Sequence, residues 1–242
     1  MLGVRKILAR LREDVVALVY PPQCLLCFGV EVGEHCRFLC DPCWLLVQNE
    51  PVPPLRLAHA DPFVSTPLAC CDFDLAAWHY VGSMDMLIPQ MKYHNAHPSF
   101  AKFFGELAAH RVHTLLKPYL SPQTVLVPVP LHPTRQRERG FNQSELIAQT
   151  LAAQWRLETW PGALRRTRYT EQQVRLSQVE RLRNVKEAFA ARGGVKFEAR
   201  TVILVDDVIT TGATISACAH IVKGLGAARV GAIALARVGG EQ

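Results

Sequence analysis

The chain has 242 residues, of which 49% are hydrophobic and 20% are charged, and its formal net charge at pH 7 is +6. This length suffices for one substantial core, or for one core and a small additional module, and the composition excludes a disordered chain. The positive charge favours anionic partners, either phosphorylated small molecules or nucleic acid.

No apolar segment is long enough to span a membrane. The longest one near the N-terminus runs from Val15 to Tyr20, whereas a spanning helix needs about 20 residues. Charged residues before it interrupt any signal-peptide-like core, and no small-residue cleavage site follows. We therefore expect a cytoplasmic protein, in which the eight cysteines serve as metal ligands or free thiols rather than as disulfides.

Residues 1–20 are predicted to form one amphipathic helix. Apolar residues recur at spacings of three and four, basic residues occupy the other faces, and Pro21 and Pro22 end the pattern. Such a helix packs against the rest of the protein. Alternatively, its basic face lies on a membrane surface or a partner, which would place the protein at the inner face of the membrane.

Residues 21–48 are predicted to form a zinc-binding module. Two CxxC pairs, Cys24–Cys27 and Cys40–Cys43, are separated by twelve residues. Each pair places two thiolates on one side of a tight turn, and two pairs complete the tetrahedral coordination of a structural Zn²⁺. His35 and Cys36 are spare candidates that could replace one ligand. The alternative is a redox-active pair or unligated thiols.

Residues 49–75 are rich in proline and are predicted to be a linker or a loop-rich segment. Residues 76–242 then alternate between helical and strand patterns. The strands are predicted at 125–130, 202–205 and 230–236, and the helices at 100–116, 142–153 and 213–225. Apolar strands separated by helices indicate an α/β domain with a parallel sheet flanked by helices.

A cluster of arginines follows the strand predicted at 125–130. Arg135, Arg137 and Arg139 bring guanidinium groups that match phosphate oxygens, so this turn is a candidate pyrophosphate site. A solvated basic turn is the alternative.

Residues 165–189 are rich in basic and amide side chains, which predicts either a mobile flap that closes over a site or a surface segment.

The strand predicted at 202–205 leads directly into a possible phosphate loop. This loop consists of Asp206, Asp207, Thr210, Thr211, Gly212, Ala213 and Thr214. The strand delivers two carboxylates to the carboxyl edge of the sheet, where they can hold the vicinal hydroxyls of a ribose, directly or through a divalent cation. The glycine allows a tight turn, and the threonines and the helix N-terminus offer donors to an anion. The segment therefore suits a ribose 5-phosphate, although a strand end with an N-capping threonine is the simpler alternative.

The run from Val202 to Thr214 closely resembles the phosphoribosyl-pyrophosphate (PRPP) binding signature of the type I phosphoribosyltransferases. The resemblance implies that Asp206 and Asp207 bind the ribose hydroxyls, that Thr210 to Thr214 cradle the 5-phosphate, and that Mg²⁺ bridges the sugar and the pyrophosphate. Some purine-salvage members carry a carboxylate where Thr210 stands and use it near the base. No general base is therefore assigned.

The cysteine pairs and the phosphate loop together make the chain similar to the ComF family of competence proteins. Further segments that carry this resemblance are Met91-Lys92-Tyr93-His94, Val127 to Pro130, Arg139 to Gln143 and Arg181 to Val185. The resemblance covers nearly the whole chain and implies a type I phosphoribosyltransferase-like sheet with a small N-terminal zinc module. It also implies a role in natural transformation, with single-stranded DNA and a competence helicase as partners.

Three functions agree with these residues. The first is a PRPP-binding competence protein that assists the uptake of single-stranded DNA. The second is an active phosphoribosyltransferase with an unidentified acceptor, in which Asp206 and Asp207 are the candidate catalytic residues. The third is an adaptor in which the zinc module acts and the α/β domain is a scaffold.

Overall fold

The computed structural model of the chain describes residues 23–29, 32–33, 36–57, 68, 70–92, 98–167 and 188–239. The helix predicted over residues 1–20 and the central part of the predicted flap, residues 168–187, lie outside the described residues. Contacts divide the chain into two compact units, residues 1–50 and residues 51–242.

The first unit contains a short helix, α1 (Asp41–Asn49), that follows a series of turns. Cys40 is its N-cap residue, and a proline stands in its first turn. Proline is favoured there because the first turn leaves its N–H groups unpaired in any case, and the carboxylate of Asp41 complements the positive end of the helix dipole. Leu39 and Val47 are fully buried.

The second unit is built on a six-stranded sheet with the order β1-β2-β8-β7-β3-β4. Its strands are β1 (Arg56–Leu57), β2 (Phe73–His79), β3 (Thr124–Pro128), β4 (Glu158–Thr159), β7 (Thr201–Ile209) and β8 (Arg229–Arg237). Every neighbouring pair is parallel except β1, which runs antiparallel to β2. The predicted α/β class with a parallel sheet is therefore confirmed.

Helices and one small hairpin surround this sheet. They are α2 (Ser83–Lys92), α3 (Pro98–Leu116), α4 (Pro133–Arg139), α5 (Gln143–Trp155), α6 (Ala213–Gly224) and the antiparallel pair β5 (Leu164–Arg166) and β6 (Phe189–Ala191). None of the described helices combines the length and the apolar character that a membrane crossing requires. The three helices predicted within residues 76–242 correspond to α3, α5 and α6.

The core of the second unit explains why its strands have near-continuous apolar runs. Val202 and Leu204 of β7 belong to a buried cluster that includes Ile215 and Cys218 of α6. Successive residues of a strand point to opposite faces of a sheet. Ile203 and Val205, which point to the other face, are buried as well, and α5 packs on the same strand. Both faces of β7 are thus covered, as is usual for parallel sheets.

A buried ion pair connects two neighbouring strands of the sheet. Asp74 of β2 and Arg237 of β8 are both buried and form a salt bridge. Burial, assisted by the positive charge of Arg56, lowers the pKa of Arg237 to about 10. The guanidinium has no other hydrogen-bond partner among the described residues, so the carboxylate of Asp74 is what compensates its charge.

The substitution Asp74→Asn should lower the free energy of unfolding by about 3–5 kcal/mol, because it leaves a buried guanidinium without its counter-charge. Urea denaturation followed by circular dichroism measures this change. The matched control is Glu198→Gln, whose partner Lys196 is as exposed as Glu198 itself; we expect a change within about 0.5 kcal/mol. A loss of less than about 1 kcal/mol for Asp74→Asn would contradict the assignment.

Candidate functional site

The predicted acidic pair lies on β7, at the carboxyl edge of the sheet. Pairing between β7 and β3 ends at Val205, whereas pairing between β7 and β8 continues to Ile209. Asp206 and Asp207 therefore belong to the strand itself. The sequence pattern had predicted instead that they directly follow a strand that ends at residue 205. Because β3 stops short, the side of β7 next to β3 has no strand partner at these positions in the described part of the chain, and this edge is where open α/β folds bind ligands.

Asp206 accepts two hydrogen bonds at the same carboxylate oxygen. The backbone N–H of Asp207 donates to Oδ1 at 2.9 Å, and the hydroxyl of Ser144 donates to it at 3.0 Å. Burial raises the pKa of Asp206 to about 7, and the charge of Asp207 adds to this effect, while Lys92 and the two hydrogen bonds act in the opposite direction.

Asp207 forms a salt bridge with Lys92, the last residue of α2. The distance between Nζ and Oδ2 is 3.0 Å, and the side chains of the lysine and the aspartate are 23% and 12% exposed. In the sequence, Lys92 was part of a segment that carried the family resemblance, but no role was predicted for it. The structure adds this lysine and Ser144 to the candidate site.

Three consecutive buried residues at the start of α5 connect the elements around the acidic pair. Asn142 caps the helix by accepting from the N–H of Ser144 at 3.1 Å, and its amide donates to the carbonyl of Val129 at 3.0 Å. The amide of Gln143 donates to the carbonyl of Met91, beside the lysine, at 3.1 Å. These three residues, of which Ser144 contacts Asp206, form a polar clip that joins β7 to the ends of β3 and α2.

The arginines predicted to form a basic turn lie on the short helix α4, just beyond the end of β3. This helix ends at Gly140, which has a φ of 78° and thus the left-handed conformation that favours glycine. Arg135 contacts an acidic neighbour on the same helix, Arg139 donates to an amide at the start of α5, and Arg137 is exposed. The arginines thus lie at the same edge of the sheet as the acidic pair.

The phosphate loop joins β7 to α6 through Gly212. This residue has a φ of 73°, is the N-cap of α6, and lies so close to Leu68 that a Cβ atom would come within 2.9 Å of the leucine side chain. Thr210 and Thr211 are exposed. The first amides of a helix have no intrahelical acceptors, and no acidic residue stands in the first turn of α6, which contains Ala213. The loop can therefore receive an anion.

A cavity of about 240 Å³ adjoins the end of β3. Prolines, among them Pro128 and Pro130, form one of its sides, and Glu145, Arg165 and Arg166 contribute polar groups. Two of these residues, Arg165 and Arg166, belong to β5, which begins the segment predicted as a flap. The cavity therefore offers space for a ligand of mixed character near the edge that carries the acidic pair.

In the first unit, the four predicted cysteine ligands lie together. The sulfur atoms of Cys24, Cys27, Cys40 and Cys43 are all within 4.8 Å of one another, and the sulfurs of Cys27 and Cys40 are 3.6 Å apart. Tetrahedral Zn–S bonds of about 2.3 Å place two sulfurs about 3.8 Å apart, so the cluster could bind a zinc ion. The first pair lies on a turn as predicted. The second lies at the start of α1, because Pro42 favours a helix there.

The acidity of the thiols is uneven. Although burial opposes it, hydrogen bonds from the backbone of Cys27, Cys40 and Leu26 lower the pKa of Cys24 to about 6. Burial and the neighbouring thiols raise the pKa of Cys43. Cys36, a spare candidate in the sequence, is buried outside the cluster, and its sulfur accepts from a backbone N–H at 3.4 Å. His35, the other spare candidate, lies outside the described residues.

Comparisons with known proteins identify a domain family and several relatives. The phosphoribosyl transferase domain family matches residues 145–242. Competence protein F of Haemophilus influenzae is 33% identical over 165 residues, which cover 66% of this chain and 70% of that protein. DNA utilization protein YhgH of Escherichia coli K12 is 35% identical over 152 residues, which cover 62% of this chain and 66% of that protein.

Solved structures include a purine phosphoribosyltransferase from Pyrococcus horikoshii that is similar to this chain. It has a TM-score of 0.37 and 17% sequence identity, and the matched region covers 56% of this chain and 74% of that one.

Zinc content tests the ligand set. We expect the purified protein to contain stoichiometric Zn²⁺ by elemental analysis, and Cys43→Ser to lose most of it, because a tetrahedral site needs all four thiolates. Cys36→Ser is the matched control and should keep its metal, since that sulfur lies outside the cluster. Loss of zinc from Cys36→Ser with full retention in Cys43→Ser would show that the ligand set is different.

Proposed function

This chain belongs to the competence protein F (ComF) family, and from that membership we propose that its α/β unit binds PRPP with Mg²⁺ and that the protein assists the uptake of single-stranded DNA in natural transformation. The observation that carries the proposal is the juxtaposition on one strand–loop–helix unit of the paired carboxylates, Gly212 and the N-terminus of α6. All of these lie within the segment that matches the phosphoribosyl transferase domain.

The roles follow from the chemistry of each group. Asp206 and Asp207 would hold the ribose hydroxyls, and their oxygens are also the hard ligands that Mg²⁺ prefers. The hydroxyls and amides from Thr210 to Thr214 would receive the 5-phosphate. The arginines of α4 lie beyond the adjacent strand β3, where they would contact the pyrophosphate. When bound, Mg²⁺ would supply positive charge that compensates the charge of the pyrophosphate.

The proposed link to DNA has separate support. The similar proteins bear the names competence protein F and DNA utilization protein, and the net charge of +6 favours binding of a polyanion. In this proposal the cysteine unit holds Zn²⁺, and this unit and basic residues such as the arginines of α4 contact the DNA strand or a protein partner. A cytoplasmic location and a competence helicase as that partner belong to the same proposal.

A second candidate function is a catalytically active phosphoribosyltransferase. The observation that favours it is the cavity bounded by Pro128 and Arg165 near the acidic strand, which would accommodate an acceptor with a nitrogen nucleophile. The site would then stabilise positive charge on the ribosyl carbon while the arginines of α4 hold the departing pyrophosphate. Release of pyrophosphate from PRPP in the presence of the correct acceptor distinguishes this activity from binding alone.

Binding of PRPP is measured by isothermal titration calorimetry in the presence of Mg²⁺. We expect Asp207→Asn and Gly212→Ala each to weaken binding by about tenfold or more, because the first removes a charged acceptor for a hydroxyl and the second strains the loop. Asp85→Asn, at an exposed position on α2, is the matched control and should bind as the wild type does. Absence of heat and of thermal protection in the wild-type protein would contradict PRPP binding.

Binding of single-stranded DNA is tested by fluorescence anisotropy at increasing salt concentration. We expect binding at about 50 mM salt, with affinity that falls steeply as salt rises, because phosphate contacts release counterions. Replacing Arg135, Arg137 and Arg139 together by Gln should weaken binding and flatten the salt dependence. Arg200→Gln, whose guanidinium contacts Glu158, is the control. A wild-type protein that binds no single-stranded DNA at about 50 mM salt would contradict the proposed role.

A further inference from the structure

Lys92 is the cation that the fold itself brings to the acidic pair. Its ammonium lies 3.0 Å from the carboxylate of Asp207, and its charge also acts on Asp206. The residue before it, Met91, is buried, and its carbonyl accepts a hydrogen bond from Gln143, which is itself fully buried. The polar clip therefore fixes the end of α2 at the point from which the lysine reaches the pair.

This ion pair differs from the exposed ion pairs elsewhere in the second unit. The side chains of Lys196 and Glu198 are 75% and 73% exposed, so water screens their attraction. At Asp207 the lysine and the aspartate are 23% and 12% exposed. The attraction between opposite charges grows as the surrounding dielectric falls, so any ligand of the Asp207 carboxylate has to compete with the ammonium.

We propose that Lys92 is the resident counter-cation of Asp207, and that it makes the site select a divalent cation bound to an anionic sugar phosphate over the free cation. The inference rests on the proposed function in that it assigns a selectivity to the same site. Lys92 acts here as a specificity-determining residue.

The physical reason is a balance of charges. Two adjacent carboxylates without a neighbouring cation would attract hydrated divalent ions from solution, since such ions prefer carboxylate oxygens. The ammonium of Lys92 cancels the charge of one carboxylate and so disfavours the free ion. An incoming complex with PRPP brings its own phosphate oxygens, and the flexible four-carbon stem of a lysine allows the released ammonium to turn towards them.

The polar clip also supports this inference, because it fixes the end of the helix from which Lys92 extends. Gln143 has no exposed surface, and its amide donates a hydrogen bond to the carbonyl of Met91 rather than to a ligand. A buried amide that is used in this way stabilises one position of the helix end. It therefore acts as a positioning residue for Lys92, whose own side chain remains partly exposed and able to move.

The test uses Mn²⁺ alone, in the full-length protein without PRPP, with binding measured by electron paramagnetic resonance. We expect Lys92→Met to bind Mn²⁺ about tenfold more tightly than the wild type, because the competing ammonium is gone. Lys92→Arg keeps the charge and should bind Mn²⁺ as the wild type does. Lys223→Met removes the same charge from another partly exposed ion pair, with Asp72 at 3.4 Å, and should leave Mn²⁺ binding unchanged.

A double variant locates the gained ion. Adding Asp207→Asn to Lys92→Met should abolish the gain, and thermal unfolding of each variant confirms that it is folded.

In calorimetry with PRPP and Mg²⁺, Lys92→Met should bind about tenfold more weakly than the wild type, because the complex loses a cation that its phosphates would contact.

The outcomes separate this inference from the proposed function. If wild-type protein binds PRPP with Mg²⁺ but Lys92→Met gains no affinity for Mn²⁺, the inference is overturned and the proposed function stands. If the wild type binds no PRPP, the proposed function fails, whereas a gain in Mn²⁺ affinity that depends on Asp207 still supports competition by Lys92. A gain that survives Asp207→Asn overturns the inference, because the ion then binds elsewhere.

Discussion

The repulsion between two neighbouring carboxylates on a buried strand is the constraint around which the carboxyl edge of this sheet is organised. Asp206 is half-buried and Asp207 is buried, so groups from the protein have to compensate negative charge at this point. A hydroxyl from α5, a backbone amide of β7 and an ammonium from α2 meet them. Three elements that are distant in the sequence thus converge on one point.

The polar clip shows how such convergence is maintained. Asn142 and Gln143 are buried polar residues whose side-chain NH2 groups donate to main-chain carbonyls. Buried amides of this kind are tolerated only when they are satisfied, and a partner displaced by a small distance leaves them unsatisfied. The clip therefore makes the relative positions of β3 and α2 more exact than apolar packing would, since apolar contacts are not directional.

The sequence predicted those parts of the molecule whose signals are local. The apolar run of β7, the periodic faces of α3 and α6, the acidic pair and the paired cysteines can all be recognised within a short window of residues. Lys92 and Ser144 could not be recognised as site residues, because only the fold brings them to Asp206 and Asp207. The helical structure of α4 was also missed. Its arginines were interpreted as a basic turn, and it was not recognised that His132 caps the start of the helix and that Gly140 ends it.

The contact between Leu68 and Gly212 places part of the support for the phosphate loop outside the signature that identifies it. Leu68 is buried in the core cluster of the second unit, five residues before β2 begins, and its side chain lies against this glycine. A natural substitution at position 68 can therefore change how firmly the loop is held, although every residue of the signature stays the same. Relatives with identical loops need not bind with identical strength.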